Sequence, residues 1–253
     1  MRICPACNVD NNPDAKFCGA CGEQFTMIAH QNIRTGGDES LAEKIKKLNA
    51  KRRADILFVL DCTESMGGEI DAIREAITAF ADSINTSGVR VRVGLVAFRD
   101  RLIGEEHRVL SFNGQVFTDD SAAFRREVEK LKAMGGGDIP ESSLDALMFA
   151  LQQPFSADSA KVLVLVTDAP PHIPDKDTQS LEEVTQAIRA ANVQQLYLVM
   201  RTADPECKVY LRLLEGARGL AFELGHGDDF RSRAESFKHT LMSLGKTITQ
   251  MTR

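Results

Sequence analysis

Ile56-Leu57-Phe58-Val59-Leu60 runs directly into Asp61-Cys62-Thr63-Glu64-Ser65-Met66-Gly67-Gly68. Five consecutive apolar residues predict a strand buried on both faces by covering helices, because a strand with one wet face alternates apolar and polar residues instead. The polar, glycine-bearing stretch after it reads as a loop. Ile70, Ile73, Ile77, Phe80 and Ile84 then recur at steps of three and four, which places them on one face of a helix. Strand, loop and amphipathic helix in that order form the opening unit of an alternating α/β chain.

The alternation continues outward from that unit. Val91 to Phe98 reads as a strand and Val109 to Phe117 as a weaker one, with helices expected over 119–133 and 141–152. Val162 to Val166 is a second fully apolar strand, followed by a helix near 178–191, a strand at Gln195 to Met200 and a short one near Leu220 to Leu224. Phe230, Ala234, Phe237, Leu241, Leu244 and Ile248 mark a closing amphipathic helix. The pattern predicts, for residues 54–250, a doubly wound α/β domain with a mostly parallel sheet and helices on both faces. Ligands of such sheets bind beyond the carboxyl ends of the central strands, which directs attention there.

Composition sets outer limits. With 253 residues, 43% of them hydrophobic and 26% charged, the chain is an ordinary globular one with room for a large domain and a small one. A net charge of −5 excludes a chain-wide electrostatic grip on nucleic acid or on an acidic membrane surface. The longest apolar runs fall far short of the roughly 20 residues of a membrane-spanning helix. The opening Met-Arg-Ile-Cys-Pro-Ala-Cys lacks the apolar stretch of a secretory signal, so a cytoplasmic location is expected, where cysteines stay reduced.

The cysteines are unevenly spread. Cys4-x-x-Cys7 and Cys18-x-x-Cys21 lie ten residues apart in a segment poor in large apolar side chains, whereas Cys62 and Cys207 stand alone. Two such knuckles offer four thiolates to one tetrahedral ion, and a segment this small needs a staple to fold. Four soft sulfur ligands without histidine favour a closed structural Zn2+ site over a catalytic one. Residues 1–26 read as one small module, and the stretch from 3 to about 25 is similar to the short zinc ribbons at the ends of many bacterial proteins, which implies an adaptor, usually for protein contact and sometimes for nucleic acid. Only Arg2 and Lys16 are basic there, which favours protein contact. Residues 27–53 read as a linker holding a basic amphipathic helix, with a Ser40/Glu43 capping box, an apolar stripe of Leu41, Ile45 and Leu48, and basic residues from Lys44 to Arg53. No aromatic residues interleave those charges, so a solvated face is the expectation and nucleic-acid contact the alternative.

Asp61, Thr63 and Ser65, spaced by two in a loop at a strand's carboxyl end, can converge on a hard cation such as Mg2+, which takes oxygen ligands and keeps several waters. The same residue types are also common in turns and helix caps. Two further carboxylate loops strengthen the metal reading: Gly135-Gly136-Gly137-Asp138-Ile139-Pro140-Glu141 precedes a helix, and Asp168 follows the strand 162–166.

Taken in order, Asp61-x-Thr63-x-Ser65, Gly-Gly-Gly-Asp138-x-Pro-Glu141 and Val-Thr-Asp168-Ala resemble the metal-ion-dependent adhesion site of von Willebrand factor type A domains. The last two stretches look most like the version in integrin β subunits. The resemblance implies Asp61, Thr63 and Ser65 as ligands of Mg2+, or of Ca2+ or Mn2+, with Asp168 contributing directly or through water. Many such domains supply a threonine from the second loop; this chain offers Asp138 and Glu141 there, either of which could serve, and an extra carboxylate could signal a second cation. The implied work is protein–protein recognition through a partner's carboxylate, by a cytoplasmic bacterial adaptor or scaffold. Bacterial relatives accompany ATPases or signalling enzymes, so a partner of that kind is implied.

An enzyme reading finds little to use. A phosphohydrolase of the haloacid dehalogenase type needs a second aspartate two residues after its nucleophile, and Thr63 stands there. Neither a Gly-x-x-x-x-Gly-Lys-Ser/Thr loop nor a Gly-x-Gly-x-x-Gly turn occurs, and no catalytic residue is expected. The remaining candidates have plain readings. Cys62 is expected to point away from Asp61 as a packed thiol, Cys207 to sit exposed at a helix start, and His172 to be a solvated loop histidine. Arg99, Asp100 and Arg101 read as a surface ion-pair cluster, and Met134 with the glycines after it as a mobile loop.

Overall fold

The computed structural model describes residues 2–3, 9–11, 20, 53–84, 90–137 and 139–224. The chain divides into two compact units, Met1–Leu41 and Ala42–Arg253. In the first, β1 (Arg2–Ile3) pairs antiparallel with β2 (Asp10–Asn11). The four cysteines of the expected zinc ribbon, the linker helix, Asp138 and the closing helix lie outside the described residues.

The second unit is built on a six-stranded sheet. Its strands are β3 (Arg53–Asp61), β4 (Arg90–Phe98), β5 (Arg108–Val109), β6 (Ala160–Val166), β7 (Gln195–Met200) and β8 (Arg218–Glu223), in the spatial order β5-β4-β3-β6-β7-β8. Every pairing is parallel except β4 with β5. The helices are α1 (Ile70–Ile84), α2 (Ser121–Val128), α3 (Ser143–Leu151) and α4 (Leu181–Ala190). The weak strand expected over 109–117 is reduced to β5 and two isolated bridges, Phe112 with Gln115 and Val93 with Thr118. That segment, with its Asn113-Gly114 turn at positive φ, folds back on itself instead of extending the ladder.

The period of two along β3 explains why its apolar run must be continuous. Ile56, Phe58 and Leu60 enter one core with Ile73, Ile77 and Phe80 of α1 and Phe124 of α2. Leu57 and Val59 enter a second core with Leu144 and Leu147 of α3 and Val184 and Ile188 of α4. Each face needs an apolar residue at every other position, so the twice-covered stretch 56–60 has no polar ones, and the buried Asp55 and Asp61 stand at its two ends. Phe58 meets Phe80 edge-on, ring centroids 6.0 Å apart.

The order of the strands places the site. From β3 the chain crosses to β4 on one side, and later passes to β6 on the other, so the winding reverses between β3 and β6. At such a switch point the loops leaving the two strands diverge and open a crevice. Leu60 pairs with Val166, which brings Asp61 and Thr167 side by side at its floor.

Candidate metal centre

Asp61 is the last residue of β3 and is fully buried. Its Oδ1 accepts hydrogen bonds from the Thr63 amide (2.9 Å) and the Thr63 hydroxyl (2.7 Å), the tight turn that an aspartate makes with the residue two ahead. Its Oδ2 accepts from the Thr167 hydroxyl at 2.7 Å. The Thr63 hydroxyl also stands 3.1 Å from the Ser65 hydroxyl, which donates to Asp168 Oδ1 at 2.9 Å. Asp168 Oδ2 in turn accepts from the Arg201 guanidinium at 2.7 Å. Asp61, Thr63, Ser65 and Asp168 therefore form one unbroken chain of contacts. It runs from the buried floor at Asp61 through the exposed Ser65 to the buried Asp168.

The second loop closes over this chain. Met134 donates its amide to the Cys62 carbonyl (3.0 Å) and Glu64 donates to the Gly135 carbonyl (2.9 Å), so the segment lies against the Asp61–Ser65 loop. It was expected to be mobile, and it is instead fastened along its length, since the Gly136 amide also donates to Glu105 Oε2 at 2.8 Å. Glycine is required at two of its positions. Gly135 and Gly136 hold φ of +74° and +78°, and a Cβ on Gly136 would come within 2.9 Å of both Thr63 Cβ and Glu141 Oε1.

Glu141 is nearly fully buried, and its Oε2 has no hydrogen-bond partner. Its backbone is well held: its amide donates to the Pro170 carbonyl and its carbonyl accepts from the His172 amide, each at 3.0 Å. Burial pushes its carboxyl up to about 8, reinforced by Asp61, Asp100, Glu105 and Asp168. Burial likewise pushes Asp61 up to about 6, against the opposing effect of hydrogen bonds from Thr63 and Thr167. An orphaned buried carboxylate oxygen beside a second buried carboxylate and two hydroxyls is the donor set a hard divalent cation suits, and the negative charge it would relieve is written in both shifts. Among the described residues no three His, Cys, Asp or Glu side chains gather closely enough to hold a metal by themselves, so the set depends on its hydroxyls.

Thr167 and Arg201 belong to this site and were not singled out from sequence. Both stand immediately after a parallel strand, at the same edge as Asp61 and Asp168, and that placement is the signal that could have found them. The plain candidates divide. Cys62 is packed as expected, burial and neighbouring Asp61 pushing its thiol up to about 12. Cys207, expected to be exposed, is fully buried among Leu213, Tyr210 and their neighbours, because it opens a 3-10 helix (Cys207–Glu215) that turns that face inward. His172 is mostly buried, with Nε2 3.4 Å from Asp100 Oδ1. Asp100 is buried and caps the turn at Leu102, while Arg101 reaches Asp145, Asp177 and Glu106. A cavity of about 350 Å³ adjoins that Arg101 cluster, but none of Asp61, Thr63, Ser65, Glu141 and Asp168 lines it.

The von Willebrand factor A domain model matches residues 55–215, which include the whole of this arrangement. The chain belongs to that family. Von Willebrand factor A domain-containing protein 7 of Mus musculus is 30% identical over 189 residues, 74% of this chain and 19% of that protein. Integrin beta-7 of Homo sapiens is 23% identical over 248 residues, 74% of this chain and 30% of that one. Alpha-protein kinase vwkA of Dictyostelium discoideum is 26% identical over 137 residues, 53% of this chain and 21% of that one. The chain thus spans less than a third of the length of these relatives. Among solved structures, the pilus adhesin SpaC of Lactobacillus rhamnosus GG in its open conformation shares the fold, with a TM-score of 0.53 at 15% identity, over 78% of this chain and 30% of that one. The family and its integrin relative are consistent with a divalent-cation site in this von Willebrand factor A domain. Among the described residues no helix is long and apolar enough to cross a membrane.

Proposed function

We propose that this protein is a metal-dependent protein-recognition module. Asp61, Thr63, Ser65 and Asp168 would hold Mg2+, or Ca2+ or Mn2+, with Glu141 or Asp138 as the second-loop donor, and a partner's carboxylate would complete the coordination. The observation that carries this reading is the contact chain Asp61–Thr63–Ser65–Asp168, which passes through the hydroxyl of exposed Ser65, together with the unpartnered, buried Oε2 of Glu141. Oxygen donors of this kind suit a hard ion, and an ion reached from solvent can accept a ligand from outside. The reading is of a recognition module and not of an enzyme.

The N-terminal Cys4, Cys7, Cys18 and Cys21 would hold a structural Zn2+ and make a second contact surface. A cytoplasmic, bacterial setting and a partner of the ATPase or signalling-enzyme class complete the proposal. They rest on cysteine chemistry and family resemblance.

Titration of Mn2+ into the zinc-loaded chain, followed by calorimetry, tests the core of the proposal. One ion should bind per wild-type chain, Asp61→Ala should abolish that binding, and capture of a native-host partner should need Mg2+ and fail with the same variant. Failure of the wild type to bind Mn2+ or Mg2+ at millimolar concentration would overturn it.

A further inference from the structure

A tyrosine hydroxyl inside a core must find its hydrogen-bond partners there, because an unmade bond in the interior leaves the group's desolvation uncompensated. Tyr210 is fully buried on the 3-10 helix Cys207–Glu215, its ring in the core shared by Leu144 and Leu147 of α3 and Val184 of α4. Its hydroxyl donates to the Ala169 carbonyl at 3.1 Å and stands 2.6 Å from the Ser143 hydroxyl. A phenol has one hydrogen, and here it is directed at Ala169, so Tyr210 accepts from Ser143.

Both partners adjoin candidate cation donors. Ala169 follows Asp168; its amide donates to the Thr167 hydroxyl at 3.2 Å, and that hydroxyl donates to Asp61 Oδ2 at 2.7 Å. Ser143 opens α3, is itself fully buried, and donates its amide to the Glu141 carbonyl at 2.9 Å. The contacts run in series from Ser143 through Tyr210, Ala169 and Thr167 to Asp61. One phenol, from a helix that follows β7, therefore ties the segment carrying Glu141 to the segment carrying Asp168 and, through Thr167, to Asp61. The Glu141 amide also meets the Pro170 carbonyl, and the His172 amide the Glu141 carbonyl, each at 3.0 Å. Those bonds hold the two loops to each other, and Tyr210 holds both to the core.

A hard divalent cation tolerates little error in its donors, since its metal–oxygen distances spread over only about 0.1–0.3 Å for a given ion. Donors on separate loops meet that tolerance only when the loops are fixed to a common frame. A close-packed ring with one aimed hydroxyl is such a frame, because neither its position nor its rotamer can drift. Groups that orient ligands in this way matter to affinity although they never touch the ion. We infer that Tyr210 is a positioning residue of the cation site, its hydroxyl setting the Glu141 and Asp168 loops in register. This inference rests on the proposed cation site and assigns to it a residue that supplies no ligand.

Calorimetric titration of Mn2+ into the full-length zinc-loaded chain, set beside urea unfolding of the same proteins, tests it. Tyr210→Phe keeps the ring and removes the hydroxyl. Its Mn2+ affinity should fall about tenfold. Its urea midpoint should fall as well, because Ser143 then holds a buried hydroxyl without an acceptor. Tyr210→Phe/Ser143→Ala removes that stranded hydroxyl too. Its midpoint should recover toward wild type while its Mn2+ affinity stays about tenfold low, a separation that a merely structural hydroxyl would not produce. Ser143→Ala alone keeps the bond to Ala169 and should show a smaller loss of affinity.

Wild-type Mn2+ affinity in Tyr210→Phe would overturn the inference and leave the cation reading standing. So would a double variant whose affinity recovers together with its midpoint, since the loss would then follow from loosened packing. If Tyr210→Phe does not fold, Ser143→Ala decides: unchanged Mn2+ affinity there overturns the inference, and a reduced one supports it. A wild-type chain that binds no Mn2+ overturns both readings.

Discussion

Glu141 gives a prediction whose sign can be worked from the structure. Its carboxyl titrates at about 8 in the folded chain without metal, because it is buried and faces Asp61, Asp100, Glu105 and Asp168, against an ordinary value of 4.5. A carboxyl raised on folding binds more protons in the native state, so its contribution to stability falls as pH rises from the unfolded value toward the folded one. The useful window is pH 6.5–8. Asp61, at about 6, has largely titrated below it, and the thiols of Cys62 and Cys207, at about 12, titrate above it. Within that window Glu141 alone removes about 1–2 kcal/mol, at about 1.4 kcal/mol per pH unit while it remains mostly protonated. For a domain of this size that lowers the melting temperature by roughly 3–6 °C. Glu141→Gln cannot ionise, so its stability should lack that fall and keep only the slight rise due to His107, which burial lowers to about 4 in the fold and which still binds protons in the unfolded chain near pH 6.5. Urea unfolding of both proteins in buffer stripped of divalent ions by ion exchange reads the difference directly. Millimolar Mg2+ should then raise wild-type stability more at pH 8 than at 6.5, because the ion binds the deprotonated carboxylates and only the native state assembles them. Parallel wild-type and variant curves from pH 6.5 to 8 would refute the reasoning.

Three other substitutions separate the site from the scaffold. Thr167→Val keeps the shape but removes the hydroxyl that Asp61 Oδ2 accepts; it should cost about 1–2 kcal/mol and weaken Mn2+ binding by calorimetry. Gly136→Ala forces a Cβ against Thr63 and Glu141 at φ +78°; a loss of about 1–3 kcal/mol in urea unfolding should accompany weaker Mn2+ binding. Asp55→Ala strips the buried carboxylate that Arg92 grips at 2.9 and 2.6 Å and to which the Ser156 amide donates at 2.7 Å. It should cost about 2–4 kcal/mol yet leave Mn2+ affinity unchanged, since Asp55 lies near the opposite end of β3, about 20 Å from Asp61.

Sequence by itself determined the alternating α/β plan and most of its elements, because burial on two faces leaves an unmistakable run such as 56–60 and an amphipathic helix leaves a stripe such as Ile70–Ile73–Ile77–Phe80. It also singled out Asp61, Thr63, Ser65, Asp138, Glu141 and Asp168, since three oxygen-bearing loops in that order resemble a cation-binding pattern, although each loop alone could be a turn or a helix cap. Tertiary structure decided what those residues meet. The reversal of winding between β3 and β6 sets Thr167 on Asp61 and Ser65 on Asp168, a pairing across 103 residues that no local pattern encodes. Arg201 reached Asp168, and Glu105 fastened the glycine loop, through contacts just as remote in sequence. Cys207 turned inward for the same reason: its burial depends on which face of a short helix meets α4 and the sheet, and that is settled by packing. Local periodicity records only whether a face is covered. Which side chains share a crevice follows from the order of the strands, and that order exists only once the chain has folded.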